Sequence, residues 1–200
     1  MLPVSKDILN TVAFFQTTFS IVIALSIGEA FKQFVADKAD KPEDRAIHWD
    51  RLPALLAFLL LALPFFHGMN RYFFLAYTNA DTVPQTYGLY LIFDGISFMS
   101  MSALFFAMSR SLPAVQWRRF FCLTLLLLFV DSVWIAVAVE SRGFPVLLWQ
   151  VLNAILAITL VALLARDPEK PALFVTACAF TTAATTTVSY IAKWAVFFPH

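Results

Sequence analysis

Eight polar side chains inside long apolar stretches are the residues of this chain with the greatest capacity for chemistry. They are His67, Asn70, Arg71, Asp94, Asp131, Gln150, Asn153 and Lys193. An ionisable side chain at the centre of a membrane-spanning helix costs about 2.5–3.5 kcal/mol on insertion scales, so such residues usually face a bundle interior and have partners. The set combines acids, bases and amides, which together can bind an ion, a small solute or a lipid headgroup.

Two interpretations of these eight residues stay open. In the first, the side chains surround a polar cavity within the membrane. In the second, each acid pairs with a base and fixes the helix register, as Arg71 with Asp94 and Lys193 with Asp131. Under that interpretation the amides of Gln150 and Asn153, three residues apart, form hydrogen bonds between helices.

His67 is the only histidine within a predicted spanning segment. A metal site there would need two or three further ligands, which the sequence does not bring together. No HExxH, GxSxG, P-loop or GxGxxG pattern occurs, so no catalytic residue, metal or cofactor is expected. An intramembrane enzyme that uses His67 as its acid or base is retained only as an alternative.

The composition indicates a lipid environment. Of the 200 residues, 60% are hydrophobic and 14% are charged, against about 45–50% and about 25% in ordinary soluble domains. A water-soluble protein of this size lacks the interior volume to bury so much apolar surface. The net charge of +1, without a basic run interleaved with aromatic residues, argues against nucleic acid as a partner.

Six apolar segments are long enough to cross the bilayer as helices, and together they form one predicted transmembrane domain over residues 1–200. The predicted helices are 8–34, 52–77, 87–109, 115–139, 146–165 and 172–198. The charged segment 35–51 is the one long hydrophilic loop. Aromatic residues near helix ends, among them Trp49, Tyr72 and Trp117, are expected to anchor the helices at the membrane interface.

Lys and Arg are unevenly divided between the two ends of the predicted bundle. Ten of them fall on the side of loop 35–51, and four fall on the side of the N-terminus. Because positive residues stay in the cytoplasm, the loop is predicted to be cytoplasmic and both termini non-cytoplasmic. The eight polar residues then lie in the half of the membrane nearest the N-terminal side, which is called the outer half below.

The first helix carries a stripe of small and polar residues. Asn10, Thr17, Ala24 and Gly28 recur at intervals of seven, seven and four residues, with Ser20 close by. Small residues at this spacing favour close packing against another helix. The alternative is that this face lines a pore.

The sequence therefore predicts an all-α, polytopic membrane protein with a bundle of about six transmembrane helices. The leading hypothesis for function is non-enzymatic: an ion or small-solute pathway, or a ligand pocket, in the outer half. The first alternative is a membrane subunit or sensor that acts through a protein partner. The lipid bilayer is the expected partner, and a homo-oligomer or a soluble protein bound at loop 35–51 is compatible with the sequence.

Overall fold

The computed structural model describes residues 5–35, 47–78, 87–113 and 116–142, with the isolated positions 155, 157–159, 161, 162 and 191. Four helices make up most of this part: α1 (Lys6–Phe34), α2 (Leu52–Tyr77), α3 (Tyr87–Ser109) and α4 (Trp117–Arg142). One 3-10 turn, Trp49–Arg51, directly precedes α2. No strand occurs among the described residues, so this part of the chain is all-α, as predicted.

The predicted bounds of the first four helices agree closely with the structure. α2 and α3 begin and end at the predicted residues, and α1 begins two residues early because the Ser5 hydroxyl caps it, accepting a 3.3 Å hydrogen bond from the Asp7 backbone N–H. α4 begins at Trp117 and continues to Arg142, three residues beyond its last predicted position. A helix needs apolar residues only where it meets lipid or protein, so its backbone can continue past the apolar run.

The predicted fifth and sixth helices, 146–165 and 172–198, lie outside the described residues except for the isolated positions. Those positions are helical. Thr159 also donates its hydroxyl to the backbone oxygen of Ile155 at 2.7 Å, which is a bond within one helical turn. The total of six crossings therefore stays a prediction.

The four described helices are each long and apolar enough to cross a membrane. Large apolar side chains cover their outward surfaces; for example, Leu89 is 75% exposed and Phe14 is 68% exposed. A soluble monomer rarely leaves so much contiguous apolar surface uncovered. Length, composition and surface thus all indicate a membrane protein.

Consecutive helices run in opposite directions. The end of α1 lies beside the start of α2, because the His48 backbone N–H donates to the Phe34 oxygen at 3.0 Å and the Arg51 guanidinium donates to the Gln33 oxygen. At the opposite end of the bundle, the last residue of α2, Tyr77, contacts α3 near its start. A short connection then reverses the chain between α3 and α4.

α3 occupies the centre of the described bundle and packs against α1, α2 and α4. Gly95 allows α1 to come close, because a Cβ atom at this position would lie 2.9 Å from Cζ of Phe15. The Phe15 ring stacks on Phe19 and also faces Phe73 of α2, with ring centroids 5.8 and 6.5 Å away. Aromatic rings from several helices therefore fill the core on the outer-half side of α3.

Candidate functional site

The carboxylate of Asp94 is the meeting point of three helices. It lies in α3 about 10 Å from the start of that helix, and the residue is only 2% exposed. Tyr72 and Tyr77 of α2 donate their hydroxyls to Oδ2 at 3.0 and 2.5 Å, and Trp134 of α4 donates Nε1–H to Oδ1 at 3.0 Å. These four residues are called the Asp94 centre.

Aromatic rings enclose the Asp94 centre. The indole of Trp134 contacts the rings of Tyr72 and Phe98, each with centroids 4.8 Å apart, and the Tyr72 pair is edge-to-face. Phe73 extends the same layer toward α1, with its ring 5.3 Å from Phe98. Every ring named here is buried, so the enclosure excludes solvent from the carboxylate on the sides that the described helices form.

The hydrogen bonds of the Asp94 centre offset the desolvation of a buried carboxylate. An unpartnered carboxylate in an apolar interior is very unfavourable, whereas one that accepts several hydrogen bonds is tolerated. Three donors from two neighbouring helices aim at its two oxygens, a pattern that suits an acceptor-only group. The centre therefore fixes the relative rotation of α2, α3 and α4.

The other described members of the predicted set line the same half of the bundle. His67, Asn70 and Arg71 are half-buried in α2, and Asp131 is half-buried in α4. Asn70 donates its amide to the Phe66 backbone oxygen at 2.9 Å. The Arg71 guanidinium lies 5.2 Å from the centroid of the Phe74 ring, within cation–π range.

The remaining predicted residues, Gln150, Asn153 and Lys193, lie outside the described residues. The structure thus places Asp94 among aromatic donors and leaves the membership of the wider eight-residue set a prediction. Loop 35–51 is described only at Val35 and from Ile47 onward, so its role as a partner surface stays a prediction as well.

A second feature is an open cavity of about 500 Å³ along α1. The described residues that line it are Ala13, Gln16, Thr17, Ser20, Ile21 and Ala24. This lining contains one amide and two hydroxyl groups, and none of these residues carries a charge. Thr17 and Ala24 are exposed, so no described helix covers this part of the predicted stripe. We refer to this feature as the α1 cavity.

Gln16 connects the α1 cavity to the polar segment of α2. Its side-chain nitrogen donates to the Asn70 backbone oxygen at 3.2 Å. Counted from their ends on the outer side, Gln16 lies about 15 Å along α1 and Asn70 about 10 Å along α2, which are similar depths. Two features that the sequence presents separately, the stripe of α1 and the polar residues of α2, are therefore adjacent in space.

Sequence reasoning missed the donors of the Asp94 centre. Tyr72 was expected to anchor α2 at the membrane interface, yet it is 3% exposed and bonded to Asp94, so that expectation is wrong. Trp117 is also buried and donates its indole N–H to the Leu112 oxygen at 3.0 Å. Trp134 carried a usable signal, because an indole far from a helix end needs a buried acceptor rather than an interface.

A metal centre finds no support in the described part of the chain, where no three His, Cys, Asp or Glu side chains come together. Cys122 is a free, exposed cysteine on α4. Comparisons with protein-family models, with curated proteins and with solved structures give no match to this chain.

Proposed function

We propose that this multi-pass membrane protein provides a pathway or a binding pocket for a small polar solute or ion, and that the α1 residues lining the α1 cavity form one wall of it. The observation that carries the proposal is the volume of the α1 cavity together with the polar groups among its lining residues. A space of about 500 Å³ lies against the middle of a membrane-spanning helix, and amide and hydroxyl groups line it. Ligand pockets of small molecules begin at about 300 Å³.

The chemistry of the described lining favours an uncharged solute over a bare ion. The Ser20 hydroxyl donates to the Gln16 backbone oxygen at 2.6 Å, and the Gln16 amide donates one proton to the Asn70 oxygen. Ser20 therefore meets a solute only as an acceptor, whereas the Thr17 hydroxyl and the remaining atoms of the Gln16 amide can donate and accept. The side chains of Ala13 and Ala24 are small, so they leave space beside α1 for the solute. A polar side chain at this depth is unfavourable unless it meets a partner or a wet space. Gln16 and Ser20 have partners within the protein, so the exposed Thr17 hydroxyl is the group whose position favours a wet space.

The experiment measures solute permeation in proteoliposomes, with glycerol and urea as neutral probes and K⁺ as the ionic probe. Thr17→Val removes a lining hydroxyl without changing side-chain shape. Thr18→Val is the matched control, because Thr18 lies outside the lining and donates to the Phe14 oxygen of its own helix. We expect Thr17→Val, but not Thr18→Val, to change the permeation rate of a neutral probe severalfold.

A blocking pair strengthens the same test. Ala24→Phe places a ring in the α1 cavity, whereas Leu25→Phe places the same ring on an adjacent residue that is 60% exposed and outside the lining. Permeation should fall in the first variant and persist in the second. Equal permeation rates in empty liposomes, with the native protein and with both Phe variants would exclude the pathway for these probes. If the variants change the permeation of K⁺ and not that of glycerol or urea, the permeating species is an ion and not a neutral solute.

The orientation belongs to the same proposal: both termini are non-cytoplasmic, and the Asp94 centre lies in the outer half of the membrane. The test introduces Ser5→Cys or Ile47→Cys into a Cys122→Ser/Cys178→Ser background, so that each variant has one cysteine. Intact cells that express each variant are then treated with a membrane-impermeant maleimide. Labelling at position 5 without labelling at position 47 is expected. The reverse pattern would invert the orientation.

A further inference from the structure

The connection between α3 and α4 folds back onto the protein core. The Ser111 backbone N–H donates to the Met108 oxygen at 2.8 Å, and Gln116 makes the equivalent bond to Pro113 at 2.8 Å. The indole of Trp117, the first residue of α4, donates to the oxygen of the fully buried Leu112. The described backbone of this connection is therefore held by its own hydrogen bonds.

Three arginines project from this connection. Arg110 follows the last residue of α3, and Arg118 and Arg119 occupy the first turn of α4; all three are exposed. They are called the basic turn. Segment 110–119 contains no acidic residue, and in the described chain none of the three guanidinium groups takes part in a hydrogen bond or an ion pair.

The positions of Arg118 and Arg119 do not serve the stability of α4. Cations are unfavourable in the first turn of a helix, where the macrodipole is positive, and the first turn of α4 has no acidic residue to compensate them. Their hydrogen-bonding capacity is therefore available to a group outside the described protein. An anion with several oxygens is the natural acceptor for paired guanidinium groups.

The depth of the basic turn identifies the source of that anion. The apolar spans of α3 and α4 end at Ser109 and begin at Trp117, so the arginines flank the two points at which the chain leaves the hydrocarbon region. Lipid phosphates lie at this level of the bilayer. We propose that the basic turn binds the phosphate headgroups of anionic phospholipids, in the leaflet that the charge distribution predicts to be cytoplasmic.

The proposal is independent of the α1 cavity, and its test uses lipid binding alone. Each Arg near an anionic surface strengthens binding about fivefold. The full-length protein, reconstituted in phosphatidylcholine vesicles that contain spin-labelled phosphatidylglycerol, is compared with the Arg118→Gln/Arg119→Gln variant. We expect the apparent affinity for phosphatidylglycerol over phosphatidylcholine to fall by about tenfold or more in the variant.

Two further variants make the result decisive. Lys6→Gln/Lys32→Gln removes two exposed cations at opposite ends of α1. Only Lys32 lies on the predicted side of the basic turn, so this pair should lose no more than about fivefold of the preference. Arg118→Lys/Arg119→Lys keeps the charge and should restore binding to within about fivefold of the native protein. The proposal is overturned if the native protein shows no preference for phosphatidylglycerol, or if the Lys6/Lys32 pair loses it equally. Displacement of the lipid by inorganic phosphate at equal concentration would instead assign the site to free phosphate.

Discussion

Removing the donors of the Asp94 centre one at a time tests the central geometry of the fold. Interhelical hydrogen bonds in membrane proteins contribute about 0.6 kcal/mol on average and about 1.7 kcal/mol at most. The Tyr77 bond is 2.5 Å long, buried and directed at a carboxylate, so Tyr77→Phe should lower the free energy of unfolding by about 1.5 kcal/mol. The 3.0 Å bond of Tyr72 predicts a loss of about 1 kcal/mol for Tyr72→Phe.

Asp94→Ala should have a larger effect than either single Phe variant. It removes the shared acceptor and leaves the two tyrosine hydroxyls and the Trp134 indole without it in a buried site. Each buried donor left unsatisfied costs about 1–3 kcal/mol. Allowing for relaxation and for partners that the released donors find elsewhere, we expect a loss of about 3–5 kcal/mol.

The assay is reversible unfolding in mixed micelles, with increasing SDS and far-UV circular dichroism as the signal. Ser100→Ala is the control, since that exposed hydroxyl bonds only to the Ile96 oxygen of its own helix at 2.8 Å, and its loss should change stability by less than about 0.5 kcal/mol. A double-mutant cycle supplies the decisive comparison. In the Asp94→Ala background, Tyr77→Phe should no longer destabilise and should recover part of the lost stability, because it removes a hydroxyl that has lost its acceptor; an undiminished loss there would refute the hydrogen-bonded centre.

Three further predictions use the same unfolding assay. Gly95→Leu should destabilise the α1–α3 contact by about 1–3 kcal/mol because it displaces the Phe15 ring, and Phe15→Ala should relieve part of that loss; independent, additive losses would contradict the contact. Ser102→Ala should be neutral or stabilise by up to about 1 kcal/mol, because the fully buried Ser102 hydroxyl has no hydrogen-bond partner among the described residues; a marked loss of stability would mean that the hydroxyl has a partner. Arg51→Ala should cost about 1 kcal/mol by releasing the Gln33 oxygen at the α1–α2 junction, and equal stability would show that this bond contributes nothing.

The four described helices could be predicted from the sequence because crossing a bilayer constrains the length and composition of a segment. α2 and α3 were placed to the residue, since charged or turn-forming segments flank apolar runs of the required length. The burial of Asp94 could also be predicted from the sequence, because a carboxylate in an apolar helix must find partners. Its depth followed from counting residues along α3.

The identity of those partners could not be predicted in the same way. Periodicity shows which residues share a face of one helix, but it does not give the rotation of that helix relative to its neighbours. Charge balance predicts Arg71 as a partner for Asp94, and that pairing stays a prediction. The three donors that the structure describes at Asp94 are uncharged aromatic residues, which charge balance does not identify. Tyr72 and Trp134 combine a large apolar ring with one hydrogen-bonding atom, so composition alone cannot distinguish an interfacial anchor from a core donor.

The geometry of α1 separates the Asp94 centre from the α1 cavity. Phe15 and Phe19 direct their rings toward the aromatic layer that encloses Asp94, and Thr17, two residues from each, lies on the opposite face and lines the cavity. At about 100° per residue the two faces cannot coincide, and Gln16, bonded to α2, lies between them. The two features should therefore respond separately to mutation. Tyr77→Phe should lower the free energy of unfolding and leave the permeation rate unchanged. Thr17→Val should change the permeation rate and leave the free energy of unfolding unchanged. A Tyr77→Phe protein that is fully folded but altered in permeation would show instead that the Asp94 carboxylate belongs to the pathway.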